Sequence, residues 1–328
     1  VVKSVALLKG ESLPALDDIV ATDISQKIAR SLLDADYPAV ALGAEALSHP
    51  RASLIRALLD QLIHILDVRV AILTPGANSV GAYIAGAVPH ASPQGNVKSS
   101  GYTTAQMLVD HPLRAYMLID VELEKDSVYQ AEALAALNQA GLVVCINAYM
   151  TDTMRQYADF ILPMAPFGEC AGSYTNYAGT NQSFSAASQP HEQSKPAWKI
   201  VRALAGFLEL PNFEYQTVHQ VRNELYGLLP ELPLAQTVSL PRITESSNEL
   251  LARMVWPIYS EDGLVRRSAA LAQAPQQITA HFQLNDQTAQ QLGFVDGDSL
   301  CLIQGKHKTI LQLKVEPRLA KGVLVIPA

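Results

Sequence analysis

Residues Tyr157–Phe184 read YADFILPMAPFGECAGSYTNYAGTNQSF. A strand-like run, Phe160-Ile161-Leu162, ends at Pro163, and a loop rich in glycine and small polar residues follows. A short buried strand that leads into a long ordered loop is how α/β proteins build ligand-binding edges. The stretch therefore predicts a place where the chain holds a ligand or once held one.

Polar side chains in this loop are candidates for contacts with a ligand. Glu169 has the chemistry of a general acid or base, and Ser173 or Asn176 has hydrogen-bonding groups for a heterocycle. An ordered loop must also satisfy its own backbone, and the same side chains serve that purpose. We favour this second interpretation, because no nearby histidine or metal-ligand cluster completes a site. The candidate contacts in the loop are Glu169, Gly172, Ser173, Tyr174, Asn176 and Gly179.

A second candidate ligand site is the turn Thr74–Gly81, which follows a predicted strand and contains Gly76, Asn78 and Gly81. Backbone amides of such a turn, together with the start of a helix, bind a phosphate or another anion. The spacing is not GxGxxG, however, and strand-to-helix turns need glycine for steric reasons alone. Both interpretations stay open on these residues.

The composition limits the possible classes of protein. The chain has 328 residues, of which 49% are hydrophobic and 17% charged, as in a globular protein with more than one domain. A net charge of −7 without a basic block argues against nucleic acid as a partner. No apolar run approaches the roughly 20 residues that span a bilayer, and the first residues lack a signal-peptide pattern. We therefore expect no direct membrane insertion.

Cysteine spacing and the chain ends carry further expectations. Cys145, Cys170 and Cys301 lie far apart without a CxxC pattern, which excludes a self-contained zinc or iron–sulfur motif and a disulfide framework. Scattered thiols fit a cytoplasmic setting. The chain begins with Val1 rather than methionine and ends just after the strand-like run Val323–Ile326. We therefore expect a fragment of a longer polypeptide.

Other active-site patterns do not occur in the sequence. The eight histidines form no HxH or HExxH pair, which argues against zinc or mononuclear iron. Neither the GxSxG motif of serine hydrolases nor a P-loop is present. The pair Arg266-Arg267 has the chemistry to bind an anion, although such arginines more often form surface or interdomain ion pairs.

Short apolar strands alternate with amphipathic helices along residues 1–210. This alternation predicts an α/β fold with a doubly wound, mostly parallel sheet. We expect Ser48 near the N-cap of the second helix, a capping box of Ser127 with Gln130, and Thr151 or Asp152 as a later cap. The predicted strands are Pro38–Leu42, Val68–Leu73, Tyr116–Val121, Leu142–Ile146 and Phe160–Leu162, and the predicted helices are Ile24–Leu33, Pro50–Leu66, Gly101–Leu108, Ser127–Asn138 and Pro196–Leu208.

The remaining residues predict a connector and a small β-rich domain. Residues 211–277 contain many prolines and read as an extended connector with short helices that packs on the α/β domain. Residues 278–328 alternate apolar and polar residues in two runs, Ser299–Gln304 and Thr309–Val315, which predict a hairpin. Asn285 is the predicted cap of a short helix before them. We expect this domain to be barrel-like and truncated.

Three separated passages resemble the molybdopterin oxidoreductases. Tyr157–Phe184 resembles the segment of that family that reads ADxxLP, then Glu, then GTYxNxEGR. Residues 260–275, SEDGLVRRSAALAQAP, resemble the connector of one branch, the large iron–sulfur subunits of bacterial NADH–quinone oxidoreductase, respiratory complex I. Residues 292–305, LGFVDGDSLCLIQG, are similar to the start of the C-terminal domain of the same family.

The resemblance implies a vestigial cofactor site. In the molybdoenzymes the α/β domain holds part of a guanine dinucleotide cofactor, and Gly76, Asn78 and Gly81 stand where one phosphate-contacting turn would lie. The candidate residues from Glu169 to Gly179 match the glutamate and the GTYxNxEG portion. Where the family has Glu-Gly-Arg, this chain has Ala178-Gly179-Thr180. It thereby lacks the guanidinium fork that suits a phosphate.

The resemblance also implies a role. The iron–sulfur ligands of the complex I subunit, which passes electrons from NADH toward quinone, belong to an N-terminal region of cysteine clusters outside these residues. We therefore expect no redox centre, no catalytic residue, no metal and no molybdopterin in this region. It would serve as a scaffold among the other subunits of the peripheral arm, on the cytoplasmic face of the bacterial inner membrane.

Two alternatives belong to other classes of function. The first is part of a molybdopterin-dinucleotide-binding oxidoreductase that still holds its cofactor. The second is a nucleotide-binding module that uses Thr74–Gly81 for a different ligand.

Overall fold

The computed structural model describes residues 1–93, 100–228, 240–243, 250–255, 257–274, 280–305 and 307–327. The strands in this part of the chain are β1 (Ala39–Leu42), β2 (Arg69–Ile72), β3 (Ala115–Ile119), β4 (Leu142–Asn147), β5 (Phe160–Pro163), β6 (Gly172–Thr175), β7 (Asn181–Phe184), β8 (Leu251–Val255), β9 (His281–Leu284), β10 (Ser299–Gln304), β11 (His307–Val315) and β12 (Val323–Pro327). The α-helices are α1 (Val2–Leu8), α2 (Asp23–Leu33), α3 (Ala44–Ser48), α4 (Ala52–Leu66), α5 (Ser79–Ile84), α6 (Leu123–Asp126), α7 (Gln130–Gln139), α8 (Met154–Tyr157), α9 (Ala197–Phe207), α10 (Val218–Leu228), α11 (Ala269–Ala272) and α12 (Asp286–Leu292).

The chain divides into two compact units that are not consecutive in sequence. The first unit contains residues 1–103, 167–189 and 201–245, and the second contains residues 104–166, 190–200 and 246–328. The stretch 157–184 is therefore shared between the units, with its strand in the second and its loop in the first. The consecutive boundaries expected from the sequence, at 210 and 277, stay predictions.

The first unit packs its helices on a small parallel sheet. Strands β1 and β2 pair in parallel, with Ala39 opposite Arg69. Helix α4 forms at the predicted position because its leucines and isoleucines recur at helical spacing, and Leu62 and Ile65 join Val5 in the buried core. The expected Ser48 cap is wrong: Ser48 ends α3 and donates its hydroxyl to the Ala44 carbonyl, since a separate short helix precedes α4.

The second unit contains a three-stranded parallel sheet, in the order β3-β4-β5. Its core is built from fully buried side chains of the central strand and the flanking helices, among them Val143, Leu137 and Met154. The Thr151 hydroxyl accepts a hydrogen bond from the Met154 amide at 2.9 Å, which confirms Thr151 as a capping side chain for the first turn of α8. The Ser127–Gln130 capping box is wrong, because Ser127 Oγ accepts from the Tyr129 amide, two residues on, and α7 begins only at Gln130.

The α/β class with parallel strands and a separate β-rich sheet is confirmed. The parallel strands, however, form two separate sheets, β1-β2 and β3-β4-β5, where the sequence predicted one. Periodicity shows that a strand is apolar on both faces, but it carries no information about which strand pairs with which. Among the described residues, no helix combines the length and the apolar character needed to cross a bilayer.

The β-rich sheet of the second unit has the order β10-β11-β9-β12-β8. The predicted hairpin is β10 with β11, in which Ser299 lies opposite Gln312. Residue 306 of its turn lies outside the described part. Strand β8 was missed because it lies in the stretch read as an extended connector, and it pairs in parallel with β12. Within the described residues the sheet is open, with β10 and β8 at its edges, so the barrel-like closure is not observed.

The side chain of Asn285, which follows β9, caps the first turn of α12. Asn285 is 5% exposed and its Oδ1 accepts from the Thr288 amide at 2.7 Å. Gly293 ends the helix with a φ of 78°, which is the left-handed conformation that favours glycine. The cap predicted from the sequence is confirmed.

The cap yields a stability prediction. Asn285→Ala leaves the Thr288 amide without its acceptor and should lower the free energy of unfolding by about 1 kcal/mol. Asn285→Ser keeps a capping oxygen, so it should lower the free energy of unfolding by clearly less. Urea denaturation of both variants checks this, and equal losses for Ala and Ser would contradict the assignment.

Candidate functional site

The predicted ligand loop is a closed β-hairpin in the first unit. Strands β6 and β7 pair antiparallel, with Ser173 opposite Ser183. The Asn176 side chain closes the turn by accepting from the Thr180 amide at 3.0 Å. Gly179 has a φ of 79°, so the turn needs glycine there for its backbone conformation. The polar groups of this turn thus satisfy the hairpin itself.

The Asn78 side chain joins the two predicted passages. Its Oδ1 accepts a hydrogen bond from the Thr175 amide at 2.9 Å, across 97 residues of sequence. Asn78 precedes α5 but makes no capping bond to it. The carbonyl oxygen of this side chain is therefore used to hold the hairpin against the start of α5.

Gly81 gives the Asn78 side chain its space. A Cβ atom at position 81 would lie 2.7 Å from Asn78 Cγ and closer still to Oδ1. Real Cβ atoms do not approach other atoms so closely, so any other residue at 81 would displace the Asn78 amide. Gly81, which the sequence placed in a possible phosphate-binding turn, is thus needed for a steric reason that involves no ligand.

The Gly76 amide is also paired within the protein. It donates to Ser79 Oγ at 3.0 Å, and the Ser79 hydroxyl donates in turn to the Gly76 carbonyl at 3.1 Å. Thr74 Oγ1 donates to the same carbonyl at 3.1 Å. The Gly76 amide, which a phosphate-binding turn would offer to its ligand, therefore donates to the Ser79 hydroxyl of the same turn.

A buried hydroxyl network supports the hairpin, and no sequence pattern indicated it. Thr175 is 2% exposed, and its hydroxyl hydrogen-bonds the Tyr226 hydroxyl on α10. Asn181 Nδ2 donates to Tyr226 Oη at 2.8 Å and to Thr175 Oγ1 at 3.1 Å. Because Tyr226 lies about 50 residues away, on a helix whose position the sequence did not predict, no local pattern could have found this contact.

Three aromatic rings cover one side of the hairpin. Tyr174 and Phe184 meet edge to face at 5.1 Å, and Phe167 stacks on Tyr174 at 6.0 Å. Burial raises the pKa of the Tyr174 hydroxyl. A Cβ at Gly172 would lie 2.8 Å from the Phe184 ring, so this glycine makes room for the ring.

The nine candidate residues thus fall into groups. Asn78 contacts the hairpin through the Thr175 amide, Gly81 leaves room for the Asn78 side chain, and the Gly76 amide pairs with Ser79 within its own turn. Gly172, Ser173, Tyr174, Asn176 and Gly179 belong to the hairpin. Glu169 ends the 3-10 turn Phe167–Glu169 and is half-buried. Their role in cofactor binding stays a prediction, and among the described residues no cluster of His, Cys, Asp or Glu has the form of a metal site.

The residues of this site do not fit a dinucleotide pyrophosphate as they stand. Neither Thr74–Gly81 nor Gly168–Phe184 contains a lysine or an arginine. The Arg222 guanidinium hydrogen-bonds Ser183 Oγ on β7. The Gly76 and Thr175 amides, which could donate to phosphate oxygens, donate to protein oxygens. A bound pyrophosphate would have to break these bonds without a cation in either loop to compensate.

Residues 13–207, which contain both candidate passages, match the model of the molybdopterin oxidoreductase family. This match covers more than half of the chain, and the chain belongs to that family.

Among curated relatives, the 78 kDa subunit of mitochondrial NADH-ubiquinone oxidoreductase from Neurospora crassa is 30% identical over 135 residues, which cover 37% of this chain and 18% of the relative. A putative formate dehydrogenase from Staphylococcus aureus is 32% identical over 127 residues, which cover 39% of this chain and 12% of the relative. The chain thus spans less than a fifth of the length of these relatives. Acetylene hydratase from Pelobacter acetylenicus is a similar solved structure, with a TM-score of 0.49, 17% identity, and coverage of 68% of this chain and 38% of that one.

The close approach of Gly81 to Asn78 predicts that the effect of a Gly81 substitution on the free energy of unfolding depends on the residue at position 78. Gly81→Ala should lower the free energy of unfolding by about 1–3 kcal/mol, because the new methyl group displaces the Asn78 amide. In an Asn78→Ala background the same substitution should be neutral or stabilising by about 0.5–1 kcal/mol, since alanine favours the helix over glycine.

The matched control is Gly206→Ala, where nothing lies within 4 Å of the added Cβ in α9. It should not destabilise the protein. Thermal and urea denaturation of the four variants measures the cycle, and a loss from Gly81→Ala that is equal in both backgrounds would contradict the steric assignment.

Proposed function

We propose that this chain is a cofactor-free structural region of the large iron–sulfur subunit of an NADH–quinone oxidoreductase. The observation that carries the proposal is the internal pairing of the loop's polar groups. Asn78 Oδ1 accepts from the Thr175 amide, and the Gly76 amide donates to Ser79 Oγ. Groups that would contact a dinucleotide in this family are occupied by the protein.

The hairpin turn supports the same proposal. Ala178, Gly179 and Thr180 stand where the resemblance places Glu-Gly-Arg, and all three are exposed. The Asn176 side chain accepts from the Thr180 amide, and backbone hydrogen bonds from Asn176 to Thr180 and from Gly179 to Asn176 also close this turn. The turn therefore keeps its shape without the glutamate and arginine of the family. A protein that lost the ligand but kept the fold would need a turn of this kind.

A second candidate function is part of a cofactor-loaded molybdopterin oxidoreductase. It is favoured by the putative formate dehydrogenases among the relatives, whose identity to this chain is similar to that of the 78 kDa subunit. The pairing of Gly76 and Thr175 within the protein weighs against it.

The proposed partners are the other subunits of the peripheral arm of complex I, on the cytoplasmic face of the bacterial inner membrane. In this proposal the parent subunit holds iron–sulfur clusters and passes electrons from NADH toward quinone. This region would add no redox centre and would contribute packing surface instead.

Pterin content tests the absence of the cofactor. The protein, purified from its native host after expression from its own gene, should give no fluorescent pterin on denaturation and oxidation. It should also contain neither molybdenum nor tungsten. A formate dehydrogenase purified from the same cells by the same steps serves as the positive control, and stoichiometric pterin in this protein would refute the proposal.

Association with complex I is tested separately. An affinity tag on the natural gene should co-purify NADH–ferricyanide reductase activity from gently solubilised membranes. Gly81→Ala, which disturbs the hairpin, should reduce the yield of the assembled complex relative to Gly206→Ala. A tagged protein that elutes without NADH-oxidising activity would contradict the assignment to this complex.

A further inference from the structure

The parallel sheet of the second unit has a carboxyl edge at which two strand ends lie side by side. In open α/β sheets, ligands bind outside the carboxyl ends of the strands. Residues 120–122 follow the carboxyl end of β3, and residues 147–149 end and follow β4. The Asn147 side chain joins the two strand ends by donating to the Val121 carbonyl at 3.2 Å.

Residues Pro257–Ser268, which we call the arginine segment, contact this edge. Arg266 Nη1 lies 2.7 Å from Asp126 Oδ1, and Arg266 Nη2 lies 3.7 Å from Glu122 Oε2. The side chains of Arg266 and Glu122 are only 9% and 2% exposed. Two buried charges of opposite sign thus meet where a ligand would sit.

Arg267 occupies a pocket shaped for a guanidinium group. Its Nη1 lies 2.8 Å from Glu122 Oε1 and donates to the Gly263 carbonyl at 2.6 Å. Its Cζ lies 4.1 Å from the centroid of the Tyr149 ring, which is the distance of a cation–π contact. A carboxylate, a carbonyl and an aromatic face together recognise a planar cation better than an ammonium group.

Gly263 allows the segment to approach this closely. A Cβ at position 263 would lie 3.1 Å from Glu122 Oε1 and 3.4 Å from both Arg267 Nη1 and the Tyr149 ring. A side chain at 263 would therefore press against the Glu122 carboxylate.

The edge needs a cation because it is strongly acidic. Glu122 and Asp126 lie in it, and Asp120 and Asp262 are near enough that, after burial, the negative charges of Asp126, Asp262 and Glu122 raise the pKa of the Asp120 carboxyl. Within the described part of the chain, the Glu122 oxygens are held by ion pairs rather than by well-aligned hydrogen bonds. Lys125 Nζ lies 4.0 Å from Glu122 Oε2 as well, but the shortest ion pair of the buried carboxylate, 2.8 Å, is with Arg267.

We propose that the arginine segment is a built-in occupant of the carboxyl edge of the β3-β4-β5 sheet, in which Arg267 fills a guanidinium pocket made by Glu122, Tyr149 and Gly263. The edge is thereby occupied by the chain itself, and its carboxylates are neutralised. When Arg267 is removed, the pocket accepts a small guanidinium compound in its place. This inference rests on residues other than those of the proposed cofactor-free hairpin, so either can fail without the other.

Chemical rescue tests the proposal on the full chain. In Arg267→Ala, hydrogen exchange at the amides of residues 266–268, which donate to the carbonyls of Asp262, Leu264 and Val265, should accelerate by about tenfold or more. Ethylguanidinium at about 10 mM should restore protection and raise the melting temperature by mass action, far below the molar concentrations at which guanidinium denatures. Ethylammonium should do neither.

Two further variants complete the test. Arg267→Lys keeps the charge but not the planar fork, so it should also lose protection, and it replaces the alanine variant if that one does not fold. Arg242→Ala removes an exposed ion pair with Asp18, 2.8 Å long, and should show no response to ethylguanidinium. Unchanged exchange in the Arg267 variants, or equal rescue by ethylammonium and ethylguanidinium, would overturn the proposal.

Discussion

The hairpin of the first unit depends on one hydrogen bond between distant parts of the chain, from the Thr175 amide to Asn78 Oδ1. The bond exists only because Gly81 leaves room for the Asn78 amide. On the other side of the hairpin, Tyr226 satisfies the buried Thr175 hydroxyl. A buried polar group without a partner is costly, so these contacts hold the loop in one conformation. A loop held in this way has few free polar groups for a ligand.

In both units, polar groups near the ends of parallel strands are paired within the protein, but by different kinds of side chain. Both contain parallel strands followed by loops, the arrangement at which α/β proteins bind ligands. In the first unit, small hydroxyl and amide side chains pair with the backbone of the loop. In the second, Arg266 and Arg267 neutralise the buried carboxylate of Glu122. We propose that in each case the chain's own groups take the polar contacts that a ligand would otherwise make, while the fold is kept.

Local features of both units could be predicted from the sequence, whereas long-range pairing could not. Helix α4 and the Asn285 cap were predictable because hydrophobic spacing and capping are properties of neighbouring residues. Asn78 was identified as a site residue, but for a phosphate rather than for the Thr175 amide. The contacts of Tyr226 with Thr175 and of Glu122 with Arg267 carried no local signal, since these partners lie 51 and more than 140 residues away along the chain. Only the folded structure brings such groups together.

The most direct test of the account is hydrogen exchange at the Gly76 and Thr175 amides with and without millimolar GDP. Both amides donate to protein oxygens, at 3.0 and 2.9 Å. We expect GDP to leave their protection unchanged, because each amide already donates to a protein oxygen. Protection that rises with GDP concentration at these two amides, in step with an increase in the melting temperature, would contradict it.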